Sequence, residues 1–269
     1  MSEAVLVRRE GRVLVLVNNN PAARNAISPG FYEGLAAGLA QADADPETGA
    51  VVLTGAGNFF CAGGDLQQLA KRRELPPAGR RERIEALHDA IRAIGACSKP
   101  VIAAVEGGAA GAGVSFALAC DMLVMARDAY FSVAYVKVGL SPDGGATAFL
   151  SKLVSRQLLT ELALTGDRIG AGRLDALGVV NRLTDSGRAE AEAIALAARI
   201  AEGPRRALGR IKTLCLQAPD NALEAQLDLE AHHMVESLGD AESSEGIAAF
   251  FDKRAPRFRA LRAASGEPS

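Results

Sequence analysis

The chain has 269 residues, 49% of them hydrophobic and 23% charged, which supports a sizeable core in one or two domains and excludes a disordered chain. Its formal net charge is −2, with acids and bases mixed along the sequence, so it lacks the basic surface that nucleic acid or an anionic membrane requires. The four cysteines, Cys61, Cys97, Cys120 and Cys215, are widely spaced with no metal-binding pattern and read as reduced core thiols.

Val5 to Val7 and Val13 to Val17 flank the turn dipeptide Glu10-Gly11 and predict an opening hairpin ending at Asn18-Asn19-Asn20-Pro21. The run Val13 to Val17 is too short to span a bilayer, and the start of the chain lacks the pattern of a signal peptide. The expected location is therefore the cytoplasm. Pro21 to Ser28 reads as a surface loop, Ser28-Pro29 opens a helix to about Ala44, and Ala50 to Thr54 is a short buried strand ending in Gly55-Ala56-Gly57. A helix is expected from about Asp65. Another runs from about Arg80 to Ile94, with Ile84, Leu87, Ile91 and Ile94 at helical spacing, and stops before Lys99-Pro100. Val101 to Val105 is a core strand, and Glu106 to Gly113 is rich in glycine and alanine. A helix to Cys120 follows, then a strand from Met122 to Met125. Tyr130 to Val138 reads as extended, Gly139 to Gly145 as a loop, Ala146 to about Leu164 as helices, and Val179 to Leu183 as the last strand. Ala189 to Lys253 is almost continuous amphipathic helix, broken near Gly203-Pro204, Pro219 and Gly239-Asp240, and the polar tail from Ala264 to Ser269 is expected to fray. The change from mixed α/β to all-helix predicts a boundary near residue 200. Residues 1–200 form the α/β core, and residues 201–269 form a helical region suited to oligomerisation.

Four segments in order resemble the crotonase (enoyl-CoA hydratase/isomerase) superfamily. They are NNPAARNAIS from Asn19, VVLTGAGNFFCAGGDL from Val51, KPVIAAVEGGAAGAGVSFALACD from Lys99 and EGIAAFFDKRAPRF from Glu245. The resemblance implies a spiral of ββα repeats with a C-terminal helical trimerisation region, assembled as a homotrimer or a pair of trimers. It also implies an acyl-CoA substrate, with no metal and no redox cofactor, CoA arriving as part of the substrate. Enolate formation puts negative charge on a thioester oxygen, and one preorganised backbone donor aimed there contributes about 3 kcal/mol. By resemblance those donors are the N–H groups of Gly64 and Ala112, the latter opening a helix whose dipole favours an anion. Gly111 and Gly113 would admit the thioester; the alternative is that they only permit tight helix–strand packing. Their GxxGxG spacing runs opposite to the dinucleotide fingerprint, which argues against NAD or FAD. Arg24 matches a position near the CoA phosphates, and Ala62, Asp65 and Leu66 match positions near adenine and pantetheine. Phe250 and Lys253 match a C-terminal segment that covers CoA, often from a neighbouring subunit. The plainer readings are a solvated loop charge for Arg24, a core side chain for Phe250 and a surface charge for Lys253.

Hydratases of the family use two glutamates, and the matching positions here are Ser115 and Tyr135, neither a carboxylate. Asp143, in GLSPDGGAT, resembles instead the single catalytic aspartate of the family's enoyl-CoA isomerases, including those acting on ring-opened phenylacetate intermediates. One carboxylate suffices for a double-bond shift. Asp143 could also serve as a helix N-cap after Pro142, and Leu140 and Phe149 are expected to bury it. His88 lies on or beside the apolar stripe of its helix, where a buried, satisfied histidine is the plain reading. His88, Tyr135 and Asp143 also resemble the His, Trp and Asp of aryl-CoA dehalogenases, with Tyr for Trp. Hydrolysis of an oxepin-CoA or aryl-CoA ester, dehalogenation, and a catalytically silent acyl-CoA-binding subunit are the alternatives to isomerisation. Phe116, Val133, Tyr135 and the loop from Lys71 to Arg80 are expected to shape the acyl pocket.

Overall fold

The computed structural model of the chain describes residues 3–264. Strand β1 (Val5–Glu10) pairs antiparallel with β2 (Val13–Asn18), and a 3-10 turn at Pro21–Ala23 leads to α1 (Pro29–Ala44). Ser28 caps α1 by accepting the Phe31 N–H at 3.3 Å, with Pro29 just inside the helix, where its missing N–H has no partner to lose. Then follow β3 (Ala50–Gly55), α2 (Leu66–Arg72), α3 (Pro77–Ala96), β4 (Val101–Val105), β5 (Gly108–Ala110), α4 (Ala112–Ala119) and β6 (Met122–Ala126). The chain continues through β7 (Tyr130–Ser132), a 3-10 helix at Ala134–Val138, α5 (Ala146–Ser151), α6 (Arg156–Thr165), β8 (Arg168–Gly170), α7 (Ala171–Ala176) and β9 (Arg182–Thr184). Five helices close it: α8 (Ala189–Ala201), α9 (Arg205–Gln217), α10 (Leu223–Gly239), α11 (Ala241–Phe251) and α12 (Phe258–Ala264).

The main sheet has the order β1-β2-β3-β4-β6-β9 and is parallel from β2 onward, with Val15 opposite Val52 and Ala103 opposite both Leu53 and Leu123. A small second sheet, β5-β7-β8, stands beside it. Parallel strands covered on both faces carry continuous apolar runs rather than alternating ones, and β2, β3 and β4 do so. Successive residues therefore serve different layers. Val13, Val15, Val17, Val52, Ile102 and Val124 pack against Ala193, Leu196 and Ala197 of α8. Leu14, Leu16, Leu53, Ala103 and Met125 face the larger core, with Phe31 and Leu35 of α1, Leu87 and Ile94 of α3 and Phe116 of α4. Each such Val, Leu, Ile or Phe contributes roughly 1.5–3 kcal/mol by leaving water.

Several local expectations change. Tyr130–Val138 is strand only to Ser132 and then winds into the 3-10 helix, which brings Tyr135 inward at 9% exposure. The last strand begins at Arg182, while Val179 and Val180 are core residues in the preceding loop. Helix α3 starts at Pro77, and Ile84 lies on its exposed side, Ala90 taking its place in the buried stripe. The loop from Pro21 to Ser28 holds buried Asn25, Ala26 and Ile27. Lys71 to Arg80 is mostly helix, being the ends of α2 and α3. Cys215 is exposed on α9 rather than a core thiol, Cys120 is half-buried, and Cys61 and Cys97 are buried. Ala264 ends α12, and residues 265–269 of the tail lie outside the described residues. No helix among the described residues is long and apolar enough to cross a membrane.

In the C-terminal helices the pattern inverts. Leu227, Met234, Val235 and Leu238 of α10 and Ile247, Phe250 and Phe251 of α11 are exposed, whereas α8 is buried against the sheet.

Candidate active site

The site forms where the loops leaving β3 and β4 meet, outside the carboxyl ends of parallel strands, the usual ligand position in open α/β sheets. The two loops are joined by backbone. The Ala110 N–H donates to the Cys61 carbonyl at 2.9 Å, the Phe60 N–H to Glu106 at 3.0 Å, and Cys61 bridges Ala109. A third segment is tied on where the Ala62 N–H donates to Arg24 at 2.9 Å and the Ile27 N–H to Gly63 at 2.8 Å. Asn25 organises this junction. It is fully buried in the left-handed region (φ 56°), and its amide donates to the carbonyls of Ala56 and Phe59 at 2.8 and 2.6 Å.

Gly63 (φ 86°) and Gly111 (φ 51°) hold backbone conformations that side chains rarely adopt, and they lie against one another: a Cβ on Gly111 would sit 3.9 Å from the Gly63 Cα. A Cβ on Gly63 would approach the Ala112 nitrogen at 3.3 Å. Gly64 and Ala112 are thereby brought to one place. Among the described residues neither of their N–H groups donates to a protein acceptor, so both remain available to a ligand oxygen, that of Ala112 at the positive end of α4. Gly113 has a different role: a Cβ there would run into the Cys61 carbonyl, so its small size serves helix–loop packing.

The opposite wall is made of side chains. The Tyr135 hydroxyl donates to Asp143 Oδ1 at 2.8 Å, and the Ser115 hydroxyl donates to the Asp143 carbonyl at 3.2 Å. Gly144 (φ 61°) keeps this turn close, its Cα hydrogen pointing at the Ser115 side chain and at Leu87. The Tyr135 ring reaches the backbone wall, its Cζ 3.9 Å from where a Gly111 Cβ would stand. Ser115, Tyr135 and Asp143, three residues distant in sequence, thus become one cluster beside the two free N–H groups.

Asp143 does not cap α5; the N-cap is Gly145 and no side chain caps it, because the carboxylate turns inward to Tyr135. Burial raises its pKa, opposed by the Tyr135 hydrogen bond and the charges of His88 and Arg72. Leu140, expected to bury it, is itself 46% exposed. Tyr135 is pushed far above its ordinary value by burial and by the neighbouring Asp143 charge. His88 is a half-buried side chain with its Nδ1 3.5 Å from Glu85 Oε2, not a core histidine, and it stands near enough to Asp143 for its charge to act there. Arg72 of α2 and Tyr32 of α1 also belong here. Burial raises the Tyr32 pKa, a hydrogen bond from Arg72 opposes this, and Asp143 adds to it. No motif marked either residue; their only sequence signal is a polar tip one turn from apolar neighbours.

The remaining expected residues divide into two groups. Arg24 is exposed, its guanidinium 5.7 Å from the Phe59 ring centre, on the rim beside Ala62. Asp65 caps α2 by accepting the Gln67 and Gln68 N–H groups at 2.8 and 3.3 Å, and Leu66 is exposed next to it. Phe250 and Lys253 are not brought to Asp143. Phe250 is 79% exposed, rather than core, and lies edge-on to Phe251, while Lys253 (φ 52°) follows the end of α11. Phe116 is core, 5.1 Å from Phe31, and does not line an open pocket.

Comparison with known proteins agrees with this architecture. The family described as enoyl-CoA hydratase/isomerase matches residues 8–261. A 1,2-epoxyphenylacetyl-CoA isomerase of Escherichia coli is 35% identical over 96% of this chain and 99% of its own length. A putative enoyl-CoA hydratase of Thermus thermophilus is 37% identical over 93% and 98%. A crystal structure of an enoyl-CoA hydratase from Polaromonas sp. JS666 superposes with a TM-score of 0.91 at 44% identity, covering 94% of this chain and 98% of that one. The chain belongs to the enoyl-CoA hydratase/isomerase family, the crotonase superfamily, and has its fold.

Proposed function

We propose that this member of the enoyl-CoA hydratase/isomerase family shifts a double bond in an acyl-CoA thioester, with Asp143 as the proton carrier. The observation that carries this reading is the carboxylate of Asp143 held by Tyr135 at 2.8 Å, with Ser115 bonded to the same turn; by resemblance Ser115 and Tyr135 stand where hydratases carry their glutamates. Asp143 takes a proton from C2 of a 3-enoyl thioester, and the electron pair moves onto the thioester oxygen as a dienolate. The Gly64 and Ala112 N–H groups stabilise that charge. The same proton returns to C4, the double bond now lies between C2 and C3, and no water is consumed. A carboxyl with a raised pKa suits both halves of the cycle, since it is a stronger base when ionised and still an acid afterwards.

By resemblance Arg24 and Ala62 meet the CoA nucleotide, with Asp65 and Leu66 beside them; the backbone hydrogen bond between Arg24 and Ala62 supports this by holding the two segments together. The exposed apolar faces of α10 and α11 favour a homotrimer or pair of trimers, in which Phe250 and Lys253 serve a neighbouring subunit's site. The enzyme is expected in the cytoplasm, with no metal or redox cofactor. The E. coli relative named 1,2-epoxyphenylacetyl-CoA isomerase favours an acyl group derived from an aromatic ring, while another E. coli relative, 34% identical, is named a 2,3-dehydroadipyl-CoA hydratase.

A second reading rests on His88. Its charge acts on Asp143, which suits attack by the carboxylate on an aryl-CoA or oxepin-CoA ester, with His88 activating water for release. Incubation with trans-2-enoyl-, cis-3-enoyl- and aryl-CoA esters, with products resolved by chromatography and mass spectrometry, separates the two. A 3-enoyl to 2-enoyl shift without mass change, lost in Asp143→Asn, supports isomerisation, and free CoA or halide supports the second reading. Gain of one water unaffected by Asp143→Asn overturns both, and tight binding without turnover identifies a silent subunit.

A further inference from the structure

The chain leaving Gly64 turns directly into α2, whose first turn is fixed by Asp65 accepting the Gln67 and Gln68 N–H groups at 2.8 and 3.3 Å. Leu69 leans back over Gly64: a Cβ on that glycine would stand 3.2 Å from Leu69 Cδ1. Arg72 lies three residues further on, on the same face of the helix as Leu69. Six residue steps from Leu66 place it about 9 Å along the axis, at ~1.5 Å per residue, and helical side chains lean towards the N-terminus, so the face that covers Gly64 carries the guanidinium back to the site.

Of the three consecutive bases Lys71, Arg72 and Arg73, the outer two are exposed and Arg72 is half-buried. It hydrogen-bonds the hydroxyl of Tyr32, half-buried on α1, and its charge acts on Asp143. Among the described residues no carboxylate forms an ion pair with it, and Asp143 Oδ1 is instead taken by Tyr135. Burial keeps the Tyr32 phenol protonated, so it does not neutralise the guanidinium. His88, the other basic group acting on Asp143, has Glu85 Oε2 at 3.5 Å. A half-buried guanidinium thus faces the reacting position with a neutral phenol as its partner, and a charge withdrawn from water is stabilised by an opposite one.

We propose that Arg72, with Tyr32 beside it, binds a carboxylate at the far end of the acyl group, so that the substrate is a CoA thioester of an unsaturated dicarboxylic acid. The reaction rests on the isomerase reading above; the recognition rests on Arg72 and Tyr32. A guanidinium holds a carboxylate through two parallel N–H donors, and the Tyr32 hydroxyl donates a third bond. With C2 to C4 at Asp143, the carboxylate lies beyond C4. A terminal methyl in its place strands the guanidinium against hydrocarbon and is rejected on that ground.

The test compares CoA esters of equal length that end in methyl or in carboxylate. Affinity is measured by isothermal titration of the full-length assembled protein with saturated esters, which cannot isomerise: hexanoyl- against adipoyl-CoA, and octanoyl- against suberoyl-CoA. Turnover is followed with the corresponding 3-enoyl esters. At one length or both, the carboxylate ester should bind about tenfold or more tightly, as expected for hydrogen bonds to charged groups, and Arg72→Gln should bring the ratio to within about twofold of unity, with Arg72→Lys between the two. Tyr32→Phe should lower the ratio by about threefold. Equal affinity at both lengths, or a preference that survives Arg72→Gln, overturns the proposal. The preference without any double-bond shift upholds carboxylate recognition and overturns the isomerase reading, and a shift without the preference does the reverse. Should Arg72→Gln fail to fold, the wild-type ratio and Tyr32→Phe decide it.

Discussion

The two walls of the Asp143 site are built by different means. One is backbone: the loops from β3 and β4, joined through Cys61 and Ala110, present the N–H groups of Gly64 and Ala112 whatever the neighbouring side chains are. The other is side chain: Ser115, Tyr135 and Asp143 meet through hydroxyls and a carboxylate. The backbone wall tolerates little change in shape because glycine positions fix it, whereas the side-chain wall can be re-equipped one residue at a time. Under the proposed function, the ability to hold an oxyanion would reside in the first wall and the choice of reaction in the second.

The sharpest test of that division is Asp143→Asn. If the reaction resides in the side-chain wall, isomerase turnover falls about 10²–10⁴-fold, the usual range for loss of a general acid–base group. Acyl-CoA binding, measured by calorimetry, should be retained. Stability supplies an independent check. Burial holds the folded pKa of Asp143 above its unfolded value, so its contribution is present at low pH and is lost as pH rises through the folded pKa. At neutral pH the Asn variant should melt no lower than the parent.

Gly113→Ala tests the other wall. Its Cβ would press on the Cys61 carbonyl and move the Ala112 N–H, and displacement of a reacting group by ~1 Å lowers rate by about 10²-fold. Binding should weaken as well, and the melting temperature should fall, unlike in Asp143→Asn. A third, smaller effect comes from Tyr135→Phe. Its hydroxyl lowers the Asp143 pKa, so removing it raises that pKa further. With Asp143 as the base, the wild-type rate should fall as pH drops through its raised pKa, and in Tyr135→Phe this acid limb should move to higher pH with a roughly tenfold lower rate at neutrality. An unmoved limb would detach Tyr135 from the titrating base. Asn25→Ala, which removes two buried amide donations, should cost about 1–3 kcal/mol of stability while leaving the acid limb in place.

The backbone wall was the more legible of the two in sequence. Glycine runs between short apolar strands point to close backbone approach, and the motifs CAGGDL and GAAGAG singled out Gly64 and Ala112, whose segments the fold brings together. Asp143 was visible through its motif, but its inward turn was not, since an aspartate before a helix reads equally well as a cap. Tyr32 and Arg72 were invisible because nothing in the spacing of α1 and α2 says that the two helices face one turn of chain more than 70 residues away. For His88, periodicity gave only the edge of a buried stripe, and it was the resemblance to the dehalogenase residues that set it with Asp143, since spacing alone does not say whether a site or core lies beyond that edge. The exposed Phe250 shows the converse limit, for an apolar residue on an amphipathic helix reads as core even when the face it belongs to has no partner within its own chain.

The bridge between Cys61 and Ala109 also has a meaning in time. It pairs segments from two parallel strands with a whole helical crossover between them, and such non-local pairings form slowly because loop closure precedes the contacts that reward it. Gly64 and Ala112 converge only when that pairing exists. A collapsed chain with its helices formed but β3 and β4 unpaired would have its carboxylate and no pair of donors, so recovery of activity during refolding should coincide with exchange protection of the Ala110 amide, not with the recovery of helix.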